Sequence, residues 1–259
     1  MNSHLRVTMV QTELAWQDPS ANRRNLAGHF RGLAGHTDLV VLPEMFSTGF
    51  SMDTATLAEE MSGPTVGWLR EEAAALGCVI AGSLIVRDAG QCFNRLVWAR
   101  PDGSIEYYDK RHLFRMANEQ QHYTAGNRRL VAEIKGWRVC PLICYDLRFP
   151  VWSRSRGDYD LLLYVANWPQ RRAHAWAALL KARAIENLSY VVGVNRIGRD
   201  GNGTTYVGDS VALDFLGQPL SSEGGGDRVE TVVLDLESLQ SYRSSFPALL
   251  DADPYEITA

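Results

Sequence analysis

Two short runs, "LVVL" at residues 39–42 and "LLLYV" at residues 161–165, carry an apolar side chain at nearly every position. Side chains on a strand point alternately to its two faces, so a strand without a polar face must be covered on both sides. A half-solvated open sheet is therefore excluded. Further runs, "LRVTMVQ", "CVIAGSLIV", "NRLVWARP", "WRVCPLIC", "YVVGVNR", "DSVALDF" and "RVETVVLDL" among them, are bounded by Gly, Pro, Asp and Asn and read as more strands. Helical patterns lie between some of them: about 19–34, opening on Asp18-Pro19 and stopping at Gly35; about 64–76, stopping at Gly77; and about 174–188. A shorter helix is expected around 149–156. "PDGS" and "KGW" are hairpin signals, and "EGGGD" at 223–227 reads as another hairpin loop. The chain is thus α/β with mixed sheets, helices covering the outside and a second sheet the inside.

No fixed-period repeat, low-complexity tract or Pro/Ser-rich linker divides the 259 residues, so one domain over 1–259 is expected. The net charge is -4, with lysines and arginines scattered among carboxylates, which gives no reason to expect nucleic acid or anionic membrane as a partner. The start, "MNSHLRVTMVQ", lacks a basic segment followed by an apolar core, and no run approaches the roughly 20 apolar residues a bilayer requires. A cytoplasmic address follows as the expectation. Cys78, Cys92, Cys140 and Cys144 are then reduced thiols, with Cys78 and Cys92 read as buried.

Three strand ends carry reactive groups. In "DLVVLPEMFSTGF", Pro43 ends a strand just before Glu44, which sits amid Met45, Phe46 and Phe50. A carboxylate so placed can serve as a general base, while the ordinary fate of a loop glutamate is solvent. In "IEYYDKRHLFRMANEQQHYTAG", Lys110 ends a strand and could offer a fixed charge to an oxyanion, or be solvated like most lysines. Glu119, nine residues on, could pair with it. His112 is a rival base.

In "RVCPLICYDLRFP", alternation puts Cys140 and Cys144 on one side of the strand if no bulge intervenes. Cys140 lies within the apolar run and reads as core. Cys144 is at the end, where a sharp turn exposes a nucleophile and leaves the next backbone N–H, that of Tyr145, as an oxyanion donor. Cys-x3-Cys without further ligands is too weak a pattern for zinc, so no metal is assigned.

Together, "LPEMF", "YDKRHLF" and "CYDLRFP", in that order and each at a strand end, resemble the catalytic motifs of the nitrilase superfamily of carbon-nitrogen hydrolases. "NEQQHYTAG" is similar to the family stretch that carries a second active-site glutamate, here Glu119. "VLPEMFSTGFSM", "LLLYVANWP" and "ARAIENLSYVVGVNR" look most like the bacterial omega-amidase branch. The resemblance covers nearly the whole chain. It implies a four-layer α-β-β-α sandwich of two mixed sheets with outer helices, a homodimer formed through the outer helical layer, and no cofactor.

The resemblance also implies roles. Glu44 would be the base, Cys144 the nucleophile, Lys110 with the Tyr145 N–H the oxyanion stabilisers, and Glu119 the group that holds Lys110 or the amide. The expected substrates are small-molecule amides, the short 2-oxo dicarboxylic monoamides 2-oxoglutaramate and 2-oxosuccinamate. Arg115 and Arg148 are candidates for the distal carboxylate, with a structural ion pair the favoured reading of Arg148. Phe46, Tyr123 and Trp168 are expected to wall the pocket, against ordinary core packing. Two rivals stand beside this: a nitrilase or N-carbamoyl amide hydrolase using the same residues, and a catalytically silent member that binds metabolites or protein partners.

Overall fold

The computed structural model describes residues 3–222 and 224–257. In chain order the elements are β1 (His4–Gln11), α1 (Pro19–His29), β2 (Leu39–Val41), α2 (Thr54–Leu57), α3 (Pro64–Leu76), β3 (Val79–Asp88), β4 (Gln91–Ala99) and β5 (Ile105–Asp109). They continue with β6 (Ala132–Ile134), β7 (Trp137–Ile143), α4 (Pro150–Ser153), β8 (Leu161–Ala166), α5 (Ala173–Asn187), β9 (Tyr190–Asn195), β10 (Ile197–Arg199), β11 (Thr205–Val207), β12 (Val211–Leu213), β13 (Arg228–Asp235) and α6 (Leu236–Ser245).

Six strands form one sheet in the order β13-β1-β2-β3-β4-β5, and five form another in the order β12-β9-β8-β7-β6. Both are mixed: β1, β2 and β3 run parallel, as do β7, β8 and β9, while the flanking pairs are antiparallel. Strand alternation then builds the layers. On the first sheet Val10, Val40, Leu42, Ile80 and Val97 meet Leu26 of α1 and Val66, Leu69 and Ala73 of α3. Their neighbours Met9, Leu39, Val41, Val79, Leu96 and Trp98 point the other way, into a core shared with the second sheet. On the outside of that sheet, α5 lies so close to β9 that a Cβ on Gly193 would come within 2.7 Å of Leu180 and 2.9 Å of Trp176. The result is the four-layer α-β-β-α sandwich.

Both hairpin signals form. "PDGS" joins β4 to β5 with Gly103 at φ 83°, and Lys135-Gly136 join β6 to β7 as a two-residue turn with φ 51° and 85°. At that turn Lys135 reaches Asp38, at 3.0 Å, while Arg6 of β1 holds the same carboxylate from the other side at 2.9 Å. Burial alone would raise the Asp38 carboxyl, but the Arg6 and Lys135 hydrogen bonds outweigh it and hold it at about 2. One carboxylate thereby ties the two sheets together.

Some expectations are corrected. α1 stops at His29, before Gly35, because residues 30–36 close successive tight turns. The helix expected near 149–156 is shortened to the single turn of α4, which follows a 3₁₀ turn over Cys144–Arg148. "EGGGD" includes Glu223, which lies outside the described residues; the strands that flank the stretch, β12 and β13, belong to different sheets. Cys78 and Cys140 are buried thiols that burial pushes up to about 12, whereas Cys92 is only half-buried.

Candidate active site

Four strand ends converge. Glu44 follows β2 on a turn pinned to β3, where the Met45 N–H donates to the Ser83 hydroxyl (2.9 Å) and the Phe46 N–H to the Ser83 carbonyl (3.0 Å). Lys110 follows β5, and its N–H donates to the Asn94 carbonyl of β4 at 3.0 Å. Its own carbonyl accepts from Gly126, a position where a Cβ would stand 2.1 Å from the Asp109 carbonyl oxygen, so only glycine fits. Cys144 follows β7, and Asn167 follows β8.

The strand alternation expected for the two cysteines ends at Ile143. Cys144 has φ 44°, a left-handed conformation that costs a non-glycine residue of order 1 kcal/mol and turns its side chain out of the sheet. Asp146 holds this bend, accepting the Ile143 N–H at 3.0 Å, the His112 N–H at 2.9 Å and the Tyr108 hydroxyl at 2.7 Å. His112 also places Nδ1 2.8 Å from Asp146 and stacks on Phe149, 3.9 Å between centroids. It is thus a brace for the bend, and its role as rival base is not supported.

Beside Cys144 lies a buried cluster. The Lys110 ammonium donates to Glu44 Oε1 at 2.8 Å and to both Glu119 oxygens at 3.0 Å, with the lysine side chain 1% exposed and both carboxylates 0%. Asn94 Nδ2 donates to Glu44 Oε1 at 2.8 Å and to Glu119 at 3.3 Å. The Asn167 N–H closes Glu44 Oε2 at 2.8 Å, and the Phe114 N–H closes Glu119 at 2.5 Å. Burial lowers Lys110, but the charges of Glu119 and Glu44 outweigh it and raise it, so the ammonium is permanent. Burial raises Glu119, with the Lys110 charge opposing and the Glu44 charge adding. The Cys144 thiol is pushed well above its ordinary value by burial first, then by the charge of Glu44, against Lys110. At rest, the sulfur keeps its proton.

Lys110, Cys144 and Tyr145 open onto a cavity of about 210 Å³ walled by Phe50, Phe114, Trp168 and the β10–β11 ribbon. Arg148 and Trp168 both line it, with the guanidinium 5.1 Å over the indole. No carboxylate pairs with Arg148 among the described residues, which removes the ion pair favoured for it. Phe46 does not wall the cavity: it is fully buried on the α3 side, packed under Gly82 and Trp68. Tyr123 lies behind the site, donating its hydroxyl to the Ser51 carbonyl at 2.5 Å. Arg115 is exposed and faces a separate groove with Arg111 and His112. Adjacent loop residues diverge by a turn, and spacing alone does not say which way each points.

Asn94, Asn167, Arg171 and Arg172 belong to the site and were not anticipated. Asn167 ends an apolar strand, the same signal that singled out Glu44, Lys110 and Cys144. Asn94 is a fully buried amide inside a strand. Among the described residues no group of three His, Cys, Asp or Glu side chains is placed to hold a metal ion, and no helix is long and apolar enough to cross a membrane.

Four layers with reactive side chains gathered at converging strand ends define an α/β sandwich of the nitrilase type. The carbon-nitrogen hydrolase pattern matches residues 6–244, and the chain belongs to that family. It is 46% identical to Omega-amidase YafV of Escherichia coli over 98% of both chains, and 31% identical to the 2-oxoglutaramate amidase of Bacillus subtilis over 95% of this chain and 96% of that one. A crystal structure of a CN-hydrolase superfamily protein from Xanthomonas campestris, with an arsenic adduct in its active site, is 50% identical and superposes with a TM-score of 0.97 over 98% of this chain and 99% of that one.

Proposed function

We propose that this chain is an amidase that hydrolyses the ω-amide of short 2-oxo dicarboxylic monoamides, 2-oxoglutaramate and 2-oxosuccinamate, to the 2-oxo acid and ammonia. The observation that carries the chemistry is the Cys144 thiol on a strained turn beside a buried Glu44–Lys110–Glu119 cluster. The acid-bearing substrate is supported by the arginines of the cavity and by the names of the relatives.

Because the thiol keeps its proton at rest, deprotonation accompanies attack. Glu44 takes the Cys144 proton as the sulfur bonds to the amide carbonyl carbon. Negative charge gathers on the former carbonyl oxygen and is met by the Lys110 ammonium and the Tyr145 N–H. The ammonium has three N–H bonds and three carboxylate contacts, so a direct hydrogen bond to the oxyanion is made by exchanging one Glu119 contact. Glu44 then gives its proton to the nitrogen as the C–N bond breaks and ammonia leaves. Water attacks the thioester, passing a proton to Glu44, and the C–S bond breaks as sulfur recovers that proton. Glu119 holds Lys110 in position throughout.

The reading includes a single domain, a homodimer and a cytoplasmic address. Four free cysteines support a reducing compartment.

Ammonia release from 2-oxoglutaramate, glutamine, a simple nitrile and an N-carbamoyl amino acid tests the substrate class. The expected result is at least a tenfold preference in kcat/KM, about 1.4 kcal/mol, for 2-oxoglutaramate. Preference for the nitrile or the carbamoyl compound would overturn it.

A further inference from the structure

Three arginines, Arg148, Arg171 and Arg172, line the cavity over Cys144, and among the described residues none is paired with a carboxylate. The cavity does contain an acid, Asp200, but its oxygens are already occupied. They accept the Asn202 N–H (2.9 Å), the Thr204 N–H (2.8 Å) and the Tyr206 hydroxyl (2.8 Å) within the ribbon. The wall therefore carries an excess of positive charge that the protein itself does not neutralise.

Arg172 differs from the other two in holding a buried donor without a partner among the described residues. Arg148 rests on the Trp168 ring, and Arg171 is exposed. Arg172 has a buried Nη1 with no hydrogen-bond partner, while its Nη2 meets only the Met116 sulfur at 3.1 Å, a weak acceptor. Its guanidinium carbon lies 5.3 Å over the Phe114 ring. A buried charged donor left unpaired is unfavourable, and an anionic acceptor removes that cost. The main chain of Arg172 is held firmly, since its carbonyl accepts the Trp168 indole N–H at 2.8 Å.

Helix geometry adds to this. Arg172 is the N-cap of α5, a 15-residue helix with no acidic residue in its first turn and no side-chain cap. A helix N-terminus is the positive end of the dipole, so a cation there is unfavourable unless an anion compensates. Burial, together with the charges of Arg171 and Arg148, lowers the pKa of Arg172, as crowded cations require.

We infer that Arg172 binds the distal carboxylate of the substrate through its planar fork, with Arg148 as a second charge, and that it sets selectivity for acid-bearing over neutral amides. The inference rests on the amidase reading above and moves the carboxylate contact from Arg115 to Arg172. A carboxylate anchored there pairs with a guanidinium whose one acceptor among the described residues is the Met116 sulfur, and the cavity of about 210 Å³ limits the acid to a short chain.

The test compares 2-oxoglutaramate with pentanamide, a neutral amide of the same chain length, in the wild type, Arg172→Gln and Arg172→Lys. Arg172→Gln is expected to lower the ratio of kcat/KM for the two substrates by at least about a hundredfold, ~2.7 kcal/mol, mainly through KM for the acid-bearing one. Arg172→Lys, which keeps the charge but not the fork, should recover about tenfold of that loss. Equal losses on both substrates, or a ratio that moves less than about threefold, would show a merely structural role and overturn the inference. Calorimetric binding of 2-oxoglutarate to Cys144→Ala, with and without Arg172→Gln, separates this from the chemistry. At least about a hundredfold weaker binding in the double variant is expected whether or not the wild type turns over, and equal affinity overturns the assignment. Absence of ammonia release by the wild type counts against the amidase reading alone.

Discussion

Lys110→Met is expected to lower turnover by about a hundredfold to a thousandfold and to destabilise the fold by roughly 3–5 kcal/mol at pH 8. A solvated lysine at a strand end would be lost without cost to the fold. Burial changes that. Glu44 and Glu119 are both fully buried and share this one ammonium, so its removal leaves two carboxylates in a dry site with only amide and backbone donors between them. At least one must then take up a proton on folding. A carboxyl whose folded pKa lies above its unfolded value, about 4.3, favours the folded state below that value and loses this contribution as pH rises through the folded pKa. The deficit relative to wild type should thus be smallest near pH 4 and grow toward pH 8, as measured by urea unfolding across that range. A variant as stable as wild type at pH 8 would show that the cluster does not depend on the ammonium.

Glu44→Gln should be at least as damaging to activity, by about a hundredfold to ten-thousandfold, for two separable reasons. The first is loss of the proton acceptor. The second is hydrogen-bond geometry: Oε1 accepts from Lys110 and Asn94 while Oε2 accepts the Asn167 N–H, so every neighbour is a donor. An amide in that place must aim its NH2 at a donor, at a cost of roughly 1–3 kcal/mol. The variant also reports on electrostatics. The charge of Glu44 helps to push the Cys144 thiol up, so its removal should move the pH midpoint for alkylation of Cys144 downward. An unchanged midpoint would mean that the two groups are not coupled.

Much of this molecule is legible in its sequence because burial leaves a strong record. Strands apolar on both faces, such as β8, demand layers, and the glycines at 103 and 136 mark turns that only a positive φ can close. Glu44, Lys110 and Cys144 stand out because each is a polar residue placed where an apolar strand stops. Less legible is whatever depends on the direction of a turn. Phe46 lies two residues from Glu44 yet faces the opposite core, because the chain reverses at Met45, whose φ is 44°. Arg115 is replaced by Arg172 for a similar reason. The residues joining β8 to α5 fold back over Cys144, while those after Lys110 turn Arg115 toward a different groove. Two adjacent arginines at the start of a helix, where acids are preferred, were the available signal.

The central claim is that Cys144 forms a covalent acyl intermediate, and rapid acid quenching during turnover of 2-oxoglutaramate, followed by peptide mass analysis, tests it most directly. The account predicts the substrate acyl group, less ammonia, on the peptide containing Cys144, and neither adduct nor ammonia from Cys144→Ala. Ammonia release by Cys144→Ala, or an acyl group carried on any other residue, would contradict it.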